Sequence, residues 1–296
     1  MKNIIAPFLP APLRRRVAPD WSRPAVVGVV RLNGVIGAVS PLRGGIDLAS
    51  VAAALEAAFK LKGVKAVALS INSPGGSPVQ SSLIYKRVRA LAKEEGVPVY
   101  AFAEDVAASG GYMLACAADE IYADPSSIVG SIGVVSSGFG FTGLIEKLGV
   151  ERRVHTAGES KAMLDPFKPE NPDDVKRLLD LQAEVHEGFK SLVREARGDR
   201  LGTADDIFTG AFWAASGALS RGLIDGFGDL RGTMREKFGE DVKLRVVGSK
   251  KPFWRRGAGL GSHSEPAGPG TGIGAGFATG LINAMEDRSL WSRFGL

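Results

Sequence analysis

The sequence predicts an α/β domain with a largely parallel sheet whose strands are buried on both faces. Two observations carry this. Runs rich in β-branched residues alternate with stretches of helical apolar spacing, in the order βαβα. The strand-like runs are apolar almost throughout, as parallel strands covered on both sides must be.

The elements follow in order. Residues 26–32 (VVGVVRL) are a β-branched run and predict a strand. Leu48, Val51, Leu55, Ala58 and Phe59 fall on one face of a helix over 48–61. A second strand is expected at 64–71. A second helix is expected at 78–95, with Leu83, Ile84, Val88 and Leu91 on its apolar face. A third strand is read at 97–102, followed by a helix of small residues from Gly110 to about Ala118. Short strands are expected at 120–123 and 133–136, a helix at 140–148 between Gly138 and Gly149, and a long polar helix at 172–197. No internal repeat is visible. Three regions emerge: a Pro/Arg-rich leader at 1–24, the folded domain at 25–248, and a basic, Gly-rich linker with an apolar C-terminal tail at 249–296.

Composition narrows the classes. With 296 residues and 45% hydrophobic content the chain can bury one substantial core. The net charge of +5 is mild, and no nucleic-acid motif accompanies it. The single cysteine, Cys116, excludes an intrachain disulfide, and its small apolar neighbours point to a buried, inert thiol. No His/Cys/Asp/Glu spacing suits a metal, and no cofactor is implied. The apolar stretch at the N-terminus is short and broken by Pro7, Pro10 and Pro12, so neither a membrane span nor a signal-peptide core is read there. The expected compartment is the cytoplasm.

Two glycine-rich turns follow strands: Asn72-Ser73-Pro74-Gly75-Gly76 and Ala108-Ser109-Gly110-Gly111-Tyr112. Glycine at a strand-to-helix junction lets backbone N–H groups approach a ligand with no Cβ in the way. Two such turns side by side can form an oxyanion hole, although each can equally be a tight turn.

These two motifs, followed by Val129-Gly130-Ser131-Ile132-Gly133-Val134 and then Lys161, resemble the signal peptide peptidase A family of serine peptidases, family S49. The segments Phe208-Thr209-Gly210 and Ala218 to Asp225 resemble the family's end-of-domain region. The resemblance covers about residues 26–230. It implies a Clp/crotonase-like superhelix of repeated ββα units. It implies Ser109 as nucleophile and Lys161 as general base. Gly110, with Gly75 or Gly76, would supply the oxyanion donors, and Ser131 would orient the lysine. It also implies a homo-oligomeric ring and peptide substrates with small or apolar side chains at the cut.

The chemistry is coherent. A serine hydroxyl attacks only when a neighbour takes its proton, and a lysine can do so only when neutral. An apolar pocket favours the neutral form, and Met163 and Leu164 are consistent with one. Glu159 and Asp165 are then expected to point away. Ser160 and Met113 stand where family members often carry aromatics, which bears on substrate preference.

Three other readings compete with this one. A Ser-His-Asp peptidase would have to use His155, read as ending a strand, because His186 falls on a polar helix and His263 in the linker. A crotonase-type acyl-CoA enzyme shares the implied fold, and a catalytically silent peptide binder would keep only the groove. In the tail, residues 250–256 mix cations with aromatics, and residues 290–296 do so again. They point to peripheral contact with the inner face of the membrane, to a subunit contact, or to a strand laid in the chain's own groove.

Overall fold

The computed structural model describes residues 24–37, 45–158, 160–248 and 288–295. In chain order the elements are β1 (Val26–Asn33), α1 (Leu48–Phe59), β2 (Val64–Ser73), α2 (Pro78–Glu95), β3 (Val99–Ala108) and α3 (Gly110–Ala115). Then come β4 (Glu120–Ala123), β5 (Ile128–Gly130), α4 (Thr142–Lys147), α5 (Pro172–Arg197) and β6 (Phe212–Ala214). The domain closes with α6 (Ala215–Ser220), β7 (Gly226–Phe227), α7 (Leu230–Phe238) and β8 (Lys243–Val247).

The helix ends follow from local chemistry. Asp47 and Ser50 form a reciprocal capping box at the start of α1. Ser77 caps α2 with Pro78 in the first turn, and Gly96 closes it at φ 63°. Asn171 caps α5 by accepting from Asp173 N–H, with Pro172 beside it.

The strands form one mixed sheet in the order β6-β5-β3-β2-β1-β8, with β4 pairing β3 and β7 off this path. Every pairing is parallel except β5 with β6. One face carries the main core, where Val30, Leu32, Leu69, Ile71 and Ala101 meet α1, α2 and the wholly buried α3. The other face buries Val27, Val29, Ala66, Ala68 and Phe102 against Met234 of α7. Alternation along β2 continues that second face into Ser70 and Asn72, at the end of the sheet where β3 leads into α3.

Several expectations need correction. Residues 133–136 are not a strand; the short strand lies earlier, at β5, where it can pair with the end of β3. The third strand runs past 102 to Ala108, because an outward-turned pair, Glu104 and Asp105, interrupts its apolar run without ending it. His155 ends no strand; residues 151–156 are irregular. The strands β6 to β8 and the helices α6 and α7 were not foreseen.

At the C-terminus, residues 288–292 form a helical turn. Phe294 is buried against Val106 and Ala108 of β3, with its ring edge-on to Phe212 at 5.0 Å. The patch at 250–256, most of the apolar tail and most of the leader lie outside the described residues. Among the described residues no helix is long and apolar enough to cross a membrane.

Candidate active site

Ser109 occupies the single-residue corner between β3 and α3, at φ 51° and ψ −122°. This backbone region is sparsely populated for a side chain with a Cβ and costs about 1–3 kcal/mol. The corner is held on both sides. Ser109 N–H donates to Gly130 O at 2.8 Å, and Met113 N–H donates to Ser109 O at 3.0 Å. Beneath it, the buried Tyr112 hydroxyl donates to Leu223 O at 2.8 Å. A strained serine at a strand-to-helix corner presents its hydroxyl outward, and Ser109 is half-buried.

The two glycine turns meet at this corner. A Cβ on Gly75 would fall 2.7 Å from Ser109 Cβ and 2.9 Å from Gly110 N. A Cβ on Gly111 would fall 2.4 Å from Ser73 O, and one on Gly110 2.4 Å from Ser81 Oγ. Gly75 N–H donates to Ser73 Oγ at 3.2 Å. The bridge from this turn to Ile36 uses Gly75 O and Ser77 N–H, and so leaves the Gly76 N–H outside it. Gly110, as the first residue of α3, keeps its N–H outside the helical ladder.

Ser131 follows β5 at φ 54° and is 5% exposed. Its backbone N–H donates to Ala211 O at 2.7 Å, while its hydroxyl has no partner among the described residues. A buried hydroxyl without a partner is costly and calls for an explanation. His186 of α5 donates from Nε2 to the neighbouring Ile132 O at 3.0 Å. The sequence placed His186 on a solvated face, but it lies one turn before buried Phe189, which turns it toward the domain.

Lys161 stands exposed in a turn at 160–164, and among the described residues its ammonium has no partner. The structure therefore does not join Lys161 to Ser109 by a hydrogen bond within one chain. No described residue of 134–171 is buried. That segment is organised by its own contacts: Phe141 N–H to Pro166 O, Phe141 against Phe167, and Asp165 paired with Arg152 at 3.0 Å. Asp165 is thus committed to Arg152, and Glu159 lies outside the described residues. Met163 is half-buried and Leu164 is 40% exposed, so the described residues provide no apolar pocket for Lys161. The segment presents Phe139, Leu148 and Val150 to solvent, and α5 adds Leu179.

Cys116 is buried, and burial pushes its thiol up to about 12. His155 is exposed, and His263 lies outside the described residues. Among the described residues no three His, Cys, Asp or Glu side chains form a metal-binding group.

Comparison with known proteins bears on this arrangement. Residues 91–244, which include Ser109, Ser131 and Lys161, match the model of Peptidase family S49. The chain belongs to peptidase family S49. The S49 chain is 34% identical over 173 residues to the "Serine protease SPPA, chloroplastic" of Arabidopsis thaliana, covering 57% of this chain and 25% of that protein. It is 52% identical over 276 residues to a Brucella abortus protein named "Na(+)/H(+) antiporter NhaA", covering 91% of this chain and 37% of that protein. The chain thus spans well under half the length of these relatives. A solved mutant of the 1510-N membrane-bound stomatin-specific protease aligns over 76% of this chain and 98% of its own, with 13% identity and a TM-score of 0.45.

Proposed function

We propose that this S49 member is a serine endopeptidase that cleaves unfolded or membrane-derived peptides through an acyl-enzyme. Ser109 is the nucleophile and Lys161 the general base. The observation that carries the reading is the corner at Ser109: a strained, half-buried serine enclosed by two glycine turns. Gly110 N–H and, since the Gly75 N–H is occupied by Ser73, Gly76 N–H are the oxyanion donors. The Ser131 hydroxyl, buried and without a partner among the described residues, accepts from the lysine ammonium and holds it between turnovers.

The exposed position of Lys161 fits a site that closes on assembly. The exposed apolar residues of its segment are what a second copy of the chain would cover, and such coverage would remove water from the base. A homo-oligomer is therefore part of the proposal. The finer fold is a Clp/crotonase-type superhelix, a reading supported by the branch of the sheet at β3, where β4 and β7 depart from the main strand order.

The test is hydrolysis of an apolar fluorogenic peptide library by the wild type, Ser109→Ala and Lys161→Ala. Loss of cleavage in both variants is expected. Full activity in Ser109→Ala sinks the reading, and full activity in Lys161→Ala assigns the base to another group.

A further inference from the structure

The pairing of β2 with β3 is regular from Val67 opposite Val99 to Ile71 opposite Ala103, and then slips. Ser73 faces Ala107, so two steps along β2 are matched by four along β3. The surplus is a bulge at Glu104, Asp105 and Val106. It sits where the other edge of β3 changes neighbour, from β4 opposite Tyr100–Ala103 to β5 opposite Val106–Ala108. Ser109 comes three residues after Val106.

Side chains of β2 grip the bulge. Ser70 Oγ donates to Glu104 Oε1 at 2.5 Å. Asn72 does two things with one carboxamide: Nδ2 donates to Asp105 Oδ2 at 2.6 Å, and Oδ1 accepts from Val106 N–H at 3.3 Å. Its own carbonyl accepts from Gly34 N–H at 2.9 Å, beyond the end of β1. The Val106 N–H inside the bulge is thus met by a side chain anchored in the sheet.

The slip decides where the nucleophile stands. Without the extra residues, Ala107 could not pair with Ser73, and the corner would not reach Gly75 on one side and Gly130 on the other. We propose that Asn72 is a positioning residue for Ser109, whose carboxamide locks the β3 bulge and so sets the serine against the facing glycine turn. This rests on the reading of Ser109 as nucleophile. The lock requires one donor facing a carboxylate and one acceptor facing an N–H. Aspartate at 72 offers only acceptors and sets two carboxylates together, whereas exchanging the groups between positions 72 and 105 restores the complement in reverse.

The experiment measures kcat and KM for a fluorogenic peptide, with melting temperature, for the wild type, Asn72→Asp, Asp105→Asn and the double exchange. Asn72→Asp is expected to lower kcat by about a hundredfold with KM little changed, as displacement of a reacting group by about 1 Å does. Asp105→Asn stays within a few-fold, since an amide oxygen still accepts, and the double exchange regains most of the loss. A folded Asn72→Asp with wild-type kcat overturns the proposal, as does a double exchange no better than Asn72→Asp. Should Asn72→Asp not fold, the double exchange decides: kcat near wild type supports the lock, and a hundredfold loss or failure to fold overturns it. If Ser109→Ala proves as active as wild type, the nucleophile reading has failed instead. Hydrogen exchange at the Val106 amide then tests the lock alone: faster exchange in Asn72→Ala supports it, and unchanged exchange overturns it.

Discussion

Gly75 lies so close to Ser109 that a β-carbon on the glycine would sit 2.7 Å from that of the serine. The atoms it would meet are backbone or the Ser109 Cβ, so nothing flexible can give way. Gly75→Ala is therefore expected to displace the corner and reduce peptide hydrolysis by at least a hundredfold. Gly96, at the end of α2, is the control. Its φ of 63° makes alanine cost about 1–2 kcal/mol, but nothing lies within 4 Å of the added carbon. Gly96→Ala should lower the melting temperature and leave kcat unchanged.

Ser131→Ala separates catalysis from stability. The hydroxyl is buried and makes no hydrogen bond among the described residues, so its loss breaks no bond, relieves the burial of an unpaired polar group and should leave stability equal or raise it by about 1–3 kcal/mol. If the hydroxyl holds the base, kcat falls. A kcat equal to wild type, with an intact melting curve, removes Ser131 from the mechanism.

The apolar surface of the segment that carries Lys161 predicts a dependence on assembly. Phe139 is 76% and Leu148 66% exposed, so charged residues there are tolerated by the isolated fold. Phe139→Asp with Leu148→Asp should shift the protein to a smaller species in analytical ultracentrifugation, with parallel loss of hydrolysis. Retention of full activity by a monomer would remove assembly from the catalytic scheme.

Asp225 pairs with the buried Arg197. It receives Arg197 at 2.8 and 2.9 Å and Arg200 at 3.2 Å. Arg197 is 1% exposed, and Asp225→Ala strands it, so a loss of about 3–5 kcal/mol is expected in urea unfolding at neutral pH. Burial pushes the Asp225 carboxyl up, but the bonds from Arg197 and from Ile121 N–H outweigh it and hold the group below its ordinary value. The stabilisation is therefore complete above the unfolded value of about 4 and is lost as pH falls through the lower folded value. The gap between wild type and variant should stay constant down to about pH 4 and narrow below it.

What the sequence disclosed was local. The ends of α2 and α5 were readable because Ser77, Pro78 and Gly96, and Asn171 and Pro172, signal them within a few residues. The glycine turns were readable for the same reason. The end of β3 was not, because Glu104 and Asp105 interrupt its apolar run while side chains of another strand hold them. The strands β6 to β8 were missed because each is short and pairs with a strand distant in the chain; the Lys243–Val247 run, KLRVV, carried the only signal. The exposure of Lys161 depends on what packs over its segment, which no local pattern encodes.

The pairing of Val26 with Lys243 has a consequence for how the chain is made. During synthesis β1 emerges before the other described strands, and the edge that β8 covers waits until Lys243 has left the ribosome. A nascent or truncated chain that stops before Lys243 exposes the row of N–H and C=O groups from Val26 to Val30 as a template for intermolecular strand addition. A shortened form meant to stay monodisperse should therefore end after Val247.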